Sequence, residues 1–268
     1  MEILSALWQK SAFTGFRGHA VGSRVFGIVV LCGLVACIGA TAARAADMAL
    51  PLYRPGPVIA TYGWAGCYLG LEGGGTFGTS RDEATNAGAL SGVPITNTFG
   101  VDGSVVGGTV GCNLQSGNFV FGVENDLSWS SMVGSAYENP PFNPLTVSQT
   151  KMNWLDTVRG RAGYASERWF GYVTAGAAFA GTNISVCNGF GCVGDSRDRV
   201  GWVLGAGVEY ALIDSWTVKL EYLYANFGSP TYLGAGSTLG GFPVVPRNVP
   251  LSESLARIGV NYKFGPAP

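Results

Sequence analysis

The chain is 268 residues long, 47% hydrophobic and 12% charged, with 42 glycines and a formal net charge of -1. That length and apolar content support a buried core and argue against disorder, and a charge near zero with no Lys or Arg cluster excludes a nucleic-acid surface. The single histidine, His19, lies near the N-terminus, so a zinc or imidazole-dependent site has little to be made from.

Arg17 and Arg24 precede an uncharged run that starts at Val25, VFGIVVLCGLVACIGA, and the small-residue triplet Ala43, Arg44, Ala45 follows. Positive residues, a short apolar stretch and small residues in that order predict a secretory signal over 1–45, cut before Ala46. The run is shorter than the ~20 residues a helix needs to span a bilayer. A second reading takes LVAC, ending at Cys37, as a lipidation site. Residues 46–63 carry three prolines and little charge, and read as an extended periplasmic linker.

From Trp64 onward, apolar residues alternate with small or polar ones, the period of a strand. Eight segments are predicted, at 64–77, 104–115, 119–130, 154–165, 169–181, 199–211, 216–227 and 252–264. Each has about the ~9 to 11 residues with which a tilted strand crosses a membrane, plus some overhang. The connections alternate in length. SGN at 116–118, SER at 166–168 and LIDS at 212–215 are tight turns, whereas 78–103, 131–153, 182–198 and 228–251 are long loops containing Gly or Pro. Short turns at one end and long loops at the other predict an all-β protein: an eight-stranded antiparallel transmembrane up-and-down β-barrel over 64–264, with short periplasmic turns, long extracellular loops around Asn86, Asn139, Asn188 and Ala235, and a tail at 265–268.

A soluble barrel would alternate as well, and the faces separate the two. In FGVENDLSWSS, Phe121, Val123, Leu127 and Trp129 oppose Gly122, Glu124, Asp126 and Ser128. In the last segment Ala256, Ile258, Val260, Tyr262 and Phe264 oppose Arg257, Gly259, Asn261 and Lys263. Aromatic residues gather at segment ends, at Trp64, Trp129, Trp154, Trp169, Trp216 and Phe264, as in the girdles of a lipid-facing wall. The charges must then point inward. VRGRAGYASERWFGYVTAGAAFAG, at 158–181, places Arg159 and Arg161 on one face and Val158, Gly160, Ala162 and Tyr164 on the other. The inward set is Arg159, Arg161, Lys219, Arg257 and Lys263 against Glu72, Glu124, Asp126, Glu209 and Glu221, an interior charge network of paired signs. Glycine-rich stretches such as GLEGGG lack the following helix of a nucleotide loop and suit a crowded barrel interior instead.

The blocks WAGCYLGLEGGG, FVFGVENDLSWSS, WLDTVRGRAGYASERWFGYVTAGAAFAG, GWVLGAGVEYALIDSWTVKLEYLYANFG and ARIGVNYKF resemble, in order, the small outer-membrane immunogenic protein or porin family of rhizobia-like Gram-negative bacteria. The resemblance implies an eight-stranded barrel in the cell outer membrane with exposed antigenic loops and no agreed biochemical activity. Its surroundings would be outer-membrane lipid and lipopolysaccharide, with the barrel-assembly machinery as a partner during biogenesis. Phe264 resembles the terminal aromatic of the assembly signal, although GPAP follows it.

Four cysteines remain after signal removal, Cys67, Cys112, Cys187 and Cys192, an even number in an oxidising compartment. Cys187 and Cys192 bracket a short Asn-Gly tip. Cys67 and Cys112 sit at the periplasmic ends of neighbouring strands, both outward, where a bridge depends on register. The expected function is a non-enzymatic outer-membrane protein, without cofactor, metal or catalytic residues, that stabilises the envelope and displays loops. The alternative is a small diffusion pore for ions or polar solutes. A lipid-modifying barrel enzyme would need a Ser and His constellation, and the mature chain has no histidine.

Overall fold

The computed structural model describes residues 62–264 apart from Asn86, Asp214 and Ala235. The signal at 1–45, Cys37, residues 46–61 of the linker and the tail at 265–268 lie outside the described residues, as do the loop positions Asn86 and Ala235. Eight long strands build the wall: β1 Gly66–Ser80, β2 Phe99–Ser116, β3 Phe119–Ser130, β4 Val147–Ser166, β5 Trp169–Asn188, β6 Gly191–Ile213, β7 Trp216–Asn226 and β8 Leu251–Phe264. Each pairs antiparallel with the next, and β1 also pairs with β8 from Cys67↔Phe264 to Ser80↔Leu251, which closes the ring. Closure leaves no strand edge, so the backbone can satisfy its own hydrogen bonds in hydrocarbon.

The tight turns fall where expected. Gly117 and Glu167 turn two of them with positive φ, 60° and 53°. The long connections are less loop-like than the sequence suggests. β4, β5 and β6 run for 20, 20 and 23 residues, so most of 182–198 and the end of 131–153, expected as loops, are strand. The ladder continues outside the membrane because cross-strand partners continue, and it needs no lipid to do so; a polar face there removes the apolar signal but not the pairing. Val133–Tyr137 extends the wall against Val147–Lys151. A register shift between Met152 and Trp154 changes the parity of β4, so that both Met152 and Leu155 face inward.

Outside the membrane zone, Glu83–Ala84, Thr231–Tyr232 and Arg247–Asn248 form a small sheet, and Thr238–Leu239 pairs with Phe242–Pro243. These segments fold onto the β5–β6 hairpin around Ile184, Val186, Tyr232, Leu233, Leu239 and Val249. The result is an external cap with its own apolar core.

The outer wall carries aromatic pairs near the turn side, with ring centroids 4.6 Å apart for Trp169–Tyr210, 5.1 Å for Trp216–Tyr262 and 5.1 Å for Tyr262–Phe264. Trp202–Tyr224, at 5.6 Å, sits toward the loop side. Trp64 does not join this girdle. It precedes β1, so strand alternation does not govern it, and Gly66 with φ 125° lets the chain turn into the barrel mouth. There its ring lies 5.2 Å from Phe170, while its backbone N–H donates to Gln115 Oε1 and its carbonyl accepts from Asn113 Nδ2.

Candidate functional site

The lumen is filled in layers from the turn side outward. Tyr62, Trp64, Val120, Phe170 and Tyr172 cork the periplasmic mouth. A charged layer follows. Beyond it Val105, Leu155, Val203, Leu223, Leu255 and their neighbours form an apolar layer.

The charged layer exists because alternation aims one residue in two at the axis and the wall leaves no other exit for a charge. Register fixes who meets whom: Glu124↔Arg159 across β3 and β4, Arg257↔Glu221 across β8 and β7, Glu209↔Lys219 across β6 and β7. Arg159, 1% exposed, ion-pairs with Glu124, with Asp126 at 2.5 Å and with Glu221 at 2.8 Å. Arg257 meets Glu72, Asp126 at 2.6 Å and Glu221 at 2.5 Å. Arg161 reaches Glu209 at 3.1 Å and Glu124 at 3.3 Å, and Lys219 reaches Glu72 at 3.0 Å and Glu124 at 3.3 Å. Lys263 is inward too, but it stands apart at the periplasmic mouth, where it donates to the Gly63 carbonyl and lies 4.5 Å from the Tyr62 ring. The paired layer therefore holds four of the expected cations and all five expected carboxylates. Lys263 is too close to the end of β8 to reach any of them.

Neutral groups complete the layer. Tyr68 donates its hydroxyl to Glu124 at 2.5 Å and Tyr172 to Glu221 at 3.1 Å. The Arg161 guanidinium lies 4.6 Å over Tyr68 and 5.2 Å over Phe170 and Tyr172, an arrangement that offsets part of its lost hydration. Two glycines make room: a Cβ at Gly111 would stand 2.2 Å from the Tyr68 oxygen and one at Gly207 2.6 Å from that of Tyr172. Oxygens of Glu124, Asp126 and Glu221 converge within 4.8 Å of one another. Arg159 binds all three of these carboxylates and Arg257 binds two, so the negative charge is met by guanidinium rather than left open to an ion. At the mouth, burial, with the Glu209 carboxylate second, pushes the Tyr62 phenol up to about 12.

Several residues of this kind lay outside the expected set. Glu253 is buried in the apolar layer and accepts from Thr76 Oγ1 at 3.0 Å; its even spacing from Arg257 already marks it as inward. Arg199, evenly spaced from Glu209, donates to Tyr232 Oη at 2.9 Å and to the Val249 carbonyl at 2.9 Å. In the cap, Arg247 ties Asp82 at 3.2 Å to Glu138 at 2.9 Å, joining three separate connections. Those three residues have no periodicity to betray them. Burial raises the Glu138 carboxyl, with Arg247 pulling it the other way. On the outer wall, Asn125 donates to Asp156 Oδ1 at 2.6 Å and to the Thr157 carbonyl at 3.0 Å, a polar pair on a mostly apolar and aromatic face.

Both candidate disulfides are present. Cys67 and Cys112 are directly opposed in the β1–β2 register, and Cys187 and Cys192 are opposed at the tip of the β5–β6 hairpin. Phe264 closes β8 opposite Cys67, its side chain outward in the girdle.

A closed antiparallel ring with a lipid-facing aromatic wall and a charged lumen defines a transmembrane β-barrel. The chain belongs to the Outer membrane protein beta-barrel domain family, which it matches over residues 33–264. It lies in the outer membrane, its wall among lipids. It is 31% identical to the 31 kDa outer-membrane immunogenic protein of Brucella melitensis, over 88% of this chain and 99% of that one. It is 30% identical to the 22 kDa outer membrane protein of Rhizobium leguminosarum bv. viciae, over 78% and 82%. Among solved structures, the outer membrane protein OprG of Pseudomonas aeruginosa is similar at 12% identity and a TM-score of 0.46, covering 77% of this chain and 100% of that one.

Proposed function

We propose that the protein is a non-enzymatic structural barrel that stabilises the outer membrane and displays a folded cap at the cell surface. The observation that carries this reading is the filled lumen: an aromatic cork, a paired charged layer and an apolar layer succeed one another between the two mouths. Eight strands leave an interior just wide enough for side chains to fill, and here they fill it. The paired inward charges, from Glu72 to Arg257, serve in this reading as the barrel's core, with no substrate to act on. The names of the Brucella relatives support an antigenic cap. An export signal over 1–45, a linker over 46–63, lipopolysaccharide around the outer rim and an assembly machinery that reads Phe264 belong to the same proposal.

Conductance tests it against the diffusion pore. Purified protein inserted singly into planar bilayers is expected to give no steady channel of porin size. Stable openings of the wild-type protein would replace this reading with the pore.

A further inference from the structure

A cleft in the cap is lined by Glu138 and Arg247, which pair at 2.9 Å and leave it no net charge. A second hollow, of about 380 Å³, opens at the outer ends of β1, β7 and β8 and is lined differently. Thr79, Thr98, Ser229 and Ser252 bring hydroxyls to it, Asn226 an amide and Arg81 a guanidinium, with no carboxylate among the lining residues. Register gathers the strand members: Thr79 lies opposite Ser252, and Ser252 opposite Asn226.

Most of these donors are unspent. The four hydroxyls make no hydrogen bond among the described residues. Asn226 Oδ1 accepts from the Gly228 N–H at 3.0 Å, which leaves the amide nitrogen to donate elsewhere. Arg81 gives Nη2 to Glu83, a residue outside the lining, and the rest of its guanidinium has no partner among the described residues. Converging donors around one cation suit an anion rich in acceptors, and a phosphate can take an arginine fork through two parallel bonds.

The height of the hollow points to where that phosphate comes from. Thr79 follows Phe77 on the outward face of β1, and Asn226 follows Tyr224 on β7 and lies opposite Trp202. The hollow therefore stands one step outside the Trp202–Tyr224 rings of the loop-side girdle, the level at which lipid headgroups meet the wall. Toward the membrane, the outward face of the β1–β8 seam is thin: Ser254 and Ala256 are small, and a Cβ at Gly75, opposite Ala256, would meet nothing within 4 Å. Phe77 and Tyr222, each 50% exposed, stand on its two sides. Packing within the barrel does not call for the missing side chain at Gly75, and the channel it leaves has the width of a hydrocarbon chain.

We propose that this hollow seats the phosphate of an outer-leaflet lipid at Arg81, with an acyl chain along the β1–β8 seam. The seat depends on the outward placement of this rim in the reading above, but its occupancy is measured apart from conductance, so a conducting barrel would overturn that reading and leave the seat standing.

Calorimetry on the purified protein in dodecylmaltoside micelles tests it, with dioctanoyl phosphatidate, dioctanoylglycerol and inorganic phosphate as probes, each against empty micelles. One saturable phosphatidate per barrel is expected, bound at least tenfold tighter than dioctanoylglycerol, which lacks the phosphate, and than inorganic phosphate, which lacks the chains. Arg81→Gln should weaken phosphatidate at least fivefold. Glu83→Gln, which releases Nη2, should tighten it at least twofold, with the heat-dependent gel shift of the folded barrel unchanged in both variants. Equal binding of phosphatidate and dioctanoylglycerol, equal binding of inorganic phosphate, or an unaltered phosphatidate affinity in Arg81→Gln would each overturn the seat.

Discussion

The lumen and the cap both bury arginines among carboxylates, yet they are assembled by different rules. In the lumen, Arg159 and Arg257 meet their partners because neighbouring strands hold a fixed register and every second residue points to the axis. In the cap, Arg247 meets Asp82 and Glu138 from connections 165 and 109 residues away in the chain, with only the two-residue ladder of Arg247–Asn248 against Glu83–Ala84 to help set the first distance and none to set the second. A charge in the lumen is therefore fastened to the whole ring, and a charge in the cap only to a few loops. The first should control global stability and the second local opening.

Matched substitutions give the largest contrast. Arg159→Leu leaves Glu124, Asp126 and Glu221 facing one another without their shared cation, and breaking such a buried set typically costs about 3 to 5 kcal/mol. The urea midpoint of unfolding from lipid vesicles should fall accordingly. Arg247→Leu should leave that midpoint nearly unchanged while making the 228–250 connection sensitive to external protease. Equal effects on the midpoint would erase the distinction between the two regions.

The disulfides sharpen it next. Cys67 and Cys112 close 45 residues and Cys187 and Cys192 close 5. Chain-entropy reasoning gives ~4 kcal/mol for the longer loop and ~2 kcal/mol for the shorter. Double serine replacement at the rim should lower the barrel midpoint by the larger amount, and replacement at the hairpin tip should act mainly on protease sensitivity around Phe190.

Crowding in the lumen supplies a smaller effect. Gly207→Ala sets a methyl group against the Tyr172 ring and hydroxyl, and overpacking of that kind typically costs about 1 to 3 kcal/mol. Gly171→Ala, on the outer face where an added Cβ meets nothing within 4 Å, should be neutral in the same assay.

The smallest effect is that of pH on the cap. Burial raises Glu138, so the folded cap favours its protonated form. The stability this contributes is fully present below the ordinary carboxylate range and is lost as pH rises through the raised value. Protease resistance of the cap at Glu138 should thus gain slightly on acidification from neutral pH, and Glu138→Gln should flatten that dependence. A steeper acid response in Glu138→Gln would reverse the sign.

Much of the barrel was legible because alternation is a local property. Arg159 and Arg161 one residue apart, in a run with no helical spacing, already require an inward face. Glu253 and Arg199 follow from the same parity, and Asn125 and Asp156, on the outer face by that parity, break the rule that polarity points in. The Met152 register shift shows where parity stops being dependable. Trp64 shows the other limit, since a residue just before a strand is placed by the turn at Gly66 and not by alternation.

By itself, then, the sequence determined the strand period, the sign of each face, the alternation of short turns with long connections, and the membrane that such a wall requires. It also placed Cys187 near Cys192, since a separation of 5 with an Asn-Gly tip brings them together. Only the tertiary structure decided which carboxylate each guanidinium meets, that Lys263 stays at the mouth, that Cys67 faces Cys112 in register, and that the long connections fold into a cap with its own core and cleft. The reason is physical. Periodicity records which way a side chain points, whereas pairing across the lumen and between loops depends on the closure and register of the ring, which no single segment of chain contains.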